Sequence, residues 1–129
     1  METYDAALFS PPAPLARVTL RDPESEATVS DVPMLVDTGA DVTLIPQSSA
    51  NQMGIAFAPG GYELMGFDGS ISLAQAARLN LEFLGKTFKG QFLLIDQEWG
   101  LLGRDVLNHL SLLFDGPRLT WGEQRISGR

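Results

Sequence analysis

The chain has 129 residues, of which 44% are hydrophobic, and this is enough apolar material for the core of one domain. Its formal net charge of −7, without a basic cluster, argues against a nucleic-acid partner, and no apolar run approaches the roughly 20 residues of a membrane-spanning helix. The absence of cysteine excludes disulfides and thiolate metal sites, and the acidic N-terminus is unlike a signal peptide, so we expect a cytoplasmic protein.

Thirteen glycines and eight prolines predict many turns and few long helices. We expect an irregular N-terminal arm over 1–14, one domain over 15–121 and a frayed tail over 122–129. Apolar or alternating runs predict strands at 17–20, 32–36, 42–45, 62–65, 70–74, 79–83, 87–95, 111–114 and 118–121. Short helices are expected at 46–53, with Gly54 as the C-terminal stop, and at 104–110. These short strands indicate an all-β sandwich or barrel.

Turn residues separate the predicted strands. Gly66–Gly69 forms the expected tip of a hairpin, because Asp-Gly is a strong turn signal. Gly85 and Lys86 are expected to make another turn, and Asp115–Pro117 a third. Pro33 lacks a backbone N–H, so we expect it near the start of its strand or on a sheet edge.

One run, Val36–Asp41, has the character of an active site. Apolar residues precede it, and the apolar run Val42–Ile45 follows it, so one buried strand leads to a tight glycine turn and a second leads away. No second Asp-Thr-Gly or Asp-Ser-Gly exists in the 129 residues. If the chemistry needs two carboxylates, the second must come from another copy of the chain.

This run resembles the catalytic loop of the retropepsin-like aspartic proteases, a family of homodimeric peptidases. Leu101–Asp105 resembles the family's two apolar residues, glycine and short helix, and Leu64–Ser70 stands where the family has its flap hairpin. The order of these motifs along the chain and their rough spacing match those of the family from about Leu15 to Trp121. The resemblance implies an all-β fold: a retropepsin-like closed or sandwiched β-barrel with one short C-terminal helix and one catalytic Asp-Thr-Gly loop per chain.

The resemblance also implies a mechanism. Two carboxylates held a few ångströms apart cannot both ionise, so they share a proton. The ionised partner activates water as a general base, and the protonated partner polarises the scissile carbonyl. The implied activity is that of an aspartic endopeptidase without a cofactor, in which Asp37 from each subunit of a homodimer acts on a peptide or protein substrate. Thr38 is expected to join the two loops, and Gly39 to permit the sharp turn and leave room for substrate.

Four further residues next to the loop receive roles from the resemblance. Ala40 and Asp41 are expected to contact substrate, and Gly103 and Arg104 to support the loop. Hydrogen-bond donors favour a charged carboxylate, and Ala40 cannot donate where pepsin-like relatives often have Ser or Thr, so we expect activity nearer neutral pH. Arg104 is expected to pair with Asp41, the alternative being two solvated charges.

The flap and the pocket walls are assigned in the same way. Gly66 and Phe67 are expected to form the mobile tip and its apolar cap over the substrate, unless the segment is an ordinary surface turn. Trp99 and Leu101 stand where the family builds its pocket walls. For Trp99, a place in the core of the domain explains the residue equally well.

The C-terminal end departs from the retroviral pattern, because a further hairpin follows the short helix. In this respect the chain looks more like the protease domain of DNA-damage-inducible proteins, where such a hairpin supplies the dimer sheet. We therefore expect Leu112, Phe114, Leu119 and Trp121 to contribute to the dimer interface, the alternative being that they close the monomer core.

Other interpretations of the loop remain open. The main alternative is a catalytically silent retropepsin-fold module for dimerisation or binding, against which the intact triplet Asp37–Gly39 argues. Asp37 alone also suits a structural turn. A cation shared with Asp41 is disfavoured, since Gly39 stands where an EF-hand loop needs Asp or Asn, so no metal is expected. A one-lobe β-barrel binding module that matches by chance would be a strict monomer.

Overall fold

A computed structural model describes residues 1–55, 62–65 and 71–125. The strands are β1 Glu2–Thr3, β2 Leu15–Arg21, β3 Thr28–Val36, β4 Leu44–Pro46, β5 Tyr62–Met65, β6 Ile71–Ala74, β7 Ala76–Phe83, β8 Lys86–Ile95, β9 Gly100–Leu102, β10 Leu112–Asp115 and β11 Thr120–Glu123, and the helices are α1 Gln47–Met53 and α2 Arg104–Leu107. No helix in these ranges is long and apolar enough to cross a membrane. The all-β prediction is confirmed.

Six of the strands close into a barrel in the order β2-β3-β9-β4-β8-β7. Successive side chains of a strand point to opposite faces, so alternate residues of β2 and β7 fill the interior. The buried members on these two strands are Ala16, Val18, Leu20, Ala77, Leu79, Leu81 and Phe83. Strands β1, β11 and β10 form a separate three-stranded sheet, and β5 pairs with β6.

Strand β9 lies between β3 and β4, the two strands that lead into and out of the Asp37 loop. It runs parallel to β3, with Val36 opposite Leu102, and antiparallel to β4, with Leu44 opposite Leu101. The chain is tightly packed where β9 ends, because a Cβ on Gly103 would lie 2.5 Å from the carbonyl carbon and oxygen of Val42. Only glycine fits there, and the crossing places the start of α2 directly against the loop.

Of two local predictions, one holds and one is wrong. Pro33 lies inside β3, opposite Arg17 of β2, and it occupies a local sheet edge, the second of the two predicted positions. The ladder with β9 begins only at the next residue, Met34, so Pro33 has one strand neighbour and its missing donor is tolerated. The turn between β7 and β8 consists of Leu84 and Gly85, both with positive φ (51° and 75°), as a type I′ hairpin requires.

Residues of the predicted arm and of the predicted tail take part in strand pairing. In the arm, Glu2–Thr3 pairs with β11, and the backbone N–H of Tyr4 donates to the carbonyl oxygen of Leu119 (2.8 Å). In the tail, Gly122 and Glu123 complete β11. Each end supplies the other with a strand neighbour, a long-range pairing that local composition does not reveal.

Trp121 belongs to the core, so its predicted place in a dimer interface is wrong. Its side chain is 2% exposed, with ring centroids 6.3 Å from those of both Phe83 and Phe114. Phe114 and Leu119, by contrast, are 41% and 42% exposed. The terminal sheet thus buries its tryptophan and leaves other apolar side chains at the surface.

Candidate active site

The Asp37 loop is a tight turn held by its own backbone. The N–H of Asp37 donates to the carbonyl of Leu102 (3.1 Å), which fixes the loop to β9. The N–H of Ala40 then donates to the carbonyl of Asp37 (3.1 Å), and the N–H of Gly39 donates to Oδ1 of the Asp37 carboxylate (2.9 Å). The turn therefore orients the carboxylate. A Cβ on Gly39 would lie 3.2 Å from that same Oδ1 and crowd it.

The loop exposes its functional groups to different degrees. Asp37 and Ala40 are half-buried, whereas Thr38, Gly39 and Asp41 are exposed. A carboxylate in this position is open to a substrate or a water molecule from one side and supported by protein from the other. Such a group can exchange protons with a bound substrate.

Arg104 holds the loop from the first turn of α2. Its guanidinium Nη1 donates to the carbonyl oxygen of Thr38 (2.8 Å), and its backbone N–H donates to the carbonyl of Ala40 (2.9 Å). The predicted ion pair with Asp41 is not formed: no ion pair in the described part of the chain involves Asp41, whose side chain is exposed. The guanidinium instead binds a carbonyl of the loop itself.

A second set of contacts, which the sequence analysis missed, fixes the chain as it leaves the loop. The buried Thr43 hydroxyl donates to Oδ1 of Asp105 (2.6 Å), and the Thr43 N–H donates to Oδ2 (3.1 Å). The N–H of Gly103 donates back to the Thr43 hydroxyl (3.0 Å). A lone hydroxyl within the apolar run Val42–Ile45 was the available signal, since a buried hydroxyl needs a partner.

The outer face of β3 and β9 forms an apolar surface next to Asp37. The side chains that point into the barrel here are Met34, Val36 and Leu102. By alternation, Leu35 of β3 and Leu101 of β9 point outward, and Asp37 is the residue that directly follows β3. Leu35 and Leu101 are directly opposite each other. The structure thus places Leu101 beside Leu35 on the outer face of the strands next to the Asp37 loop, and Leu35 was not predicted from the sequence. Trp99 lies half-buried in the segment before β9, with its ring centroid 5.0 Å from that of Phe9.

The predicted flap is described only in its strands. Tyr62–Met65 pairs antiparallel with Ile71–Ala74, with Met65 opposite Ile71. The predicted tip, with Gly66 and Phe67, lies outside the described residues.

Comparisons with known proteins identify the family of the chain. The family model described as "gag-polyprotein putative aspartyl protease" matches residues 27–109, which include the Asp37 loop, the paired strands β5 and β6, and α2. A search of curated proteins gives no match.

Two solved structures are similar to the chain. One is the protease of EIAV (equine infectious anaemia virus) complexed with the inhibitor HBY-793: identity is 22%, coverage is 75% of this chain and 86% of that one, and the TM-score is 0.60. The other is the retroviral protease-like domain of Ddi1 from Leishmania major, with 16% identity, coverage of 87% and 90%, and a TM-score of 0.49. The first likeness shows the fold. Because the family model covers more than half of the sequence, this chain belongs to the gag-polyprotein aspartyl protease family and has its retropepsin-like fold.

Proposed function

We propose that the protein is an aspartic endopeptidase whose catalytic dyad consists of Asp37 from each of two copies of the chain. The observation that carries the proposal is the Asp37 carboxylate itself: it is half-buried, oriented by the Gly39 N–H at 2.9 Å, and it directly follows the strand on which Leu35 lies beside Leu101. A peptide that lies on the outer face of β3 and β9 reaches the Asp37 carboxylate where β3 ends.

The chemistry follows from pairing two such carboxylates. Brought within a few ångströms, they hold one proton between them. The ionised Asp37 takes a proton from a water molecule, whose oxygen attacks the scissile carbonyl carbon, while the protonated Asp37 donates to the carbonyl oxygen. Collapse of the tetrahedral intermediate breaks the C–N bond, and the amine leaves with a proton from the dyad. The enzyme forms no covalent bond to the substrate.

The surface beside the loop supports association with a second copy. The Thr38 side chain is exposed, and its hydroxyl has no partner within the described part of the chain. Next to it lies a cavity of about 220 Å³ with a mostly apolar lining: Val36, Thr38, Arg104, Leu107, Asn108, Leu110, Leu112 and Phe114. A large aromatic such as Phe114 at 41% exposure is better covered by a partner than left in water.

Cleavage of an unfolded protein substrate between pH 3 and pH 8 tests the proposal, with wild type compared with Asp37→Asn. We expect wild-type cleavage and a loss of about 10²-fold or more in the variant, because the dyad loses its general base. Asp31→Asn is the matched control, since Asp31 is exposed on β3, the strand that leads into the Asp37 loop, and it should cleave like the wild type.

Three results would contradict parts of the proposal. Equal cleavage by wild type and Asp37→Asn would remove the dyad assignment. Absence of cleavage in a protein that is dimeric would favour the catalytically silent module. An optimum below about pH 3, under the ordinary range of aspartate, would contradict the expectation of activity nearer neutral pH that rests on Ala40.

A further inference from the structure

Strand β8 has an open edge in its first half. Its antiparallel ladder with β7 runs from Lys86 to Leu93, whereas β4 joins its other side only from Leu93 onward. Within the described residues, no strand lies on this second side of β8 between Lys86 and Gly90. An edge of this kind presents main-chain donors and acceptors that a further strand can use.

The ladder between β7 and β8 fixes the direction of each backbone group. Phe83 and Lys86 flank a two-residue hairpin turn, and residues in this position exchange both of their main-chain hydrogen bonds. Such pairs recur at every second residue of an antiparallel ladder. The N–H of Leu94, an even number of residues after Lys86, donates to the carbonyl oxygen of Gln75 (2.8 Å), which agrees with this alternation. The even-numbered residues of β8 therefore bond to β7.

Thr87 and Lys89 are odd-numbered residues at the open edge. Their N–H and carbonyl groups point away from β7, and the described part of the chain offers them no strand partner. Both side chains are exposed, since the opposite face of the strand carries the buried Phe92 and Leu94. The two residues thus present backbone donors and acceptors together with side chains that a ligand can reach.

A groove lies between this edge and α2, which follows β9 on the side of β8 opposite to β7. Its volume of about 680 Å³ is within the range of about 300–1,000 Å³ that is typical of ligand pockets. Its lining includes Lys86, Phe88 and Lys89 on one side and Val106 and His109 on the other. The rings of Phe88 and His109 have centroids 5.9 Å apart, and Nζ of Lys86 donates to the carbonyl oxygen of His109 (2.8 Å). Lys86 thus bridges the two walls at the hairpin end.

The groove carries the opposite charge to the chain as a whole. The net charge of the chain is −7, yet both of its lysines and its single histidine line the groove. Among the described lining residues Asp105 is the one acid, and both of its carboxylate oxygens already accept hydrogen bonds from Thr43. Lysines on an edge strand repel the same strand of a second copy. The charges therefore favour an acidic strand and disfavour self-association at this edge.

We propose that this groove binds an extended acidic peptide segment, which adds a strand to the open edge of β8. Main-chain hydrogen bonds to Thr87 and Lys89 supply affinity, and acidic side chains of the segment lie beside the lysines and select for its charge. No lining residue of the groove belongs to the Asp37 loop. The proposal therefore does not depend on the proposed peptidase activity.

Fluorescence anisotropy of a short labelled peptide of alternating Glu and Val measures the binding, with every protein carrying Asp37→Asn so that the probe is not cleaved. We expect saturable binding, and binding at least about 10-fold weaker for the matched peptide of alternating Lys and Val. Lys89→Glu should weaken binding of the Glu peptide by about 5- to 10-fold, because attraction becomes repulsion. Arg17→Glu makes the same charge change at an exposed position of β2, outside the groove, and should leave the affinity within about 2-fold.

Amide hydrogen exchange followed by NMR tests the added strand itself. With the Glu peptide at about ten times its dissociation constant, exchange of the Thr87 and Lys89 amides should slow about 10-fold. The amides of Phe88 and Gly90, which already bond to β7, are the internal control and should change little. A peptide bound only at the Asp37 loop would protect neither Thr87 nor Lys89.

Four results would overturn the proposal: no saturable binding, equal binding of the Glu and Lys peptides, unchanged exchange at Thr87 and Lys89 in the bound protein, or a folded Lys89→Glu protein that binds like Arg17→Glu. Lys89→Gln keeps the test decisive if Lys89→Glu does not fold. It removes the charge without reversing it, and we expect about 2- to 3-fold weaker binding. Affinity equal to that of the parent protein would likewise overturn the proposal.

Discussion

The hydroxyl of Thr43 donates to Oδ1 of Asp105 at 2.6 Å, and the N–H of the same threonine donates to Oδ2 at 3.1 Å. This two-point contact joins the strand leaving the Asp37 loop to the helix that supports the loop through Arg104. A hydrogen bond to a charged carboxylate is stronger than one between neutral groups. The position of Asp37 therefore depends on residues that lie outside the loop itself.

Thr43→Val should destabilise the protein by about 1–3 kcal/mol. Valine keeps the shape of threonine, but it leaves the buried Gly103 N–H without its acceptor and removes the hydroxyl donor from one oxygen of the exposed Asp105. Urea unfolding followed by circular dichroism measures the change. Thr87→Val makes the same replacement at an exposed strand position and should change the free energy of unfolding by less than about 0.5 kcal/mol. Equal effects of the two substitutions would show that the Thr43 contact contributes nothing.

Gly103→Ala should destabilise the protein by at least about 2 kcal/mol. The new methyl group would lie 2.5 Å from backbone atoms of Val42, and backbone at a strand crossing cannot move aside as a side chain can. Gly90→Ala is the control, because a Cβ there has nothing within 4 Å. The measurement is the midpoint temperature of thermal unfolding of both variants. A Gly103→Ala protein as stable as Gly90→Ala would contradict the close approach of Gly103 to Val42.

Arg104→Met should lower kcat by about 10-fold or more while changing stability little. The substitution keeps an unbranched side chain but removes the donor to the Thr38 carbonyl, so the loop loses its lateral support. Arg78→Met, on the exposed face of β7, serves as the control. Steady-state kinetics and thermal unfolding should be measured together, since full activity of Arg104→Met would show that the guanidinium contact is dispensable.

Phe114→Lys should weaken the dimer by about 10-fold or more. Phe114 is exposed in the single chain and lines the cavity next to Thr38, so a charge there would be placed in the proposed interface. Sedimentation velocity over a dilution series measures the dissociation constant. Leu113→Lys is the control, because Leu113 is similarly exposed (46%) but alternates to the other face of β10. Unchanged association of Phe114→Lys would place the dimer interface elsewhere.

Features that depend on local pattern were predictable from the sequence. Alternation of Leu79, Leu81 and Phe83 correctly predicted a strand with one buried face, and Gly54 does end α1 in the left-handed conformation. The run Val36–Asp41 does form a tight loop between two strands of the barrel. In each case neighbouring residues carry the whole signal.

Features that depend on the pairing of strands or on contacts between distant residues were not predictable. Leu84 adopts a turn conformation that favours Gly, Asn or Asp, because the two-residue hairpin demands it. The Thr43–Asp105 contact joins residues 62 positions apart. The packing of Phe9 on Trp99 likewise exists only once the arm is tied to the terminal sheet.

The proposed mechanism requires a catalytic dyad that two chains share. The most direct measurement is the activity of a fixed amount of wild type as Asp37→Asn protein is added, after the mixture has been unfolded and refolded to exchange subunits. If each active site needs one Asp37 from each chain, mixed dimers are inactive, and activity must fall toward zero as the variant comes into excess. Activity that stays constant as the variant is added would show that a single chain cleaves alone, and would contradict the account.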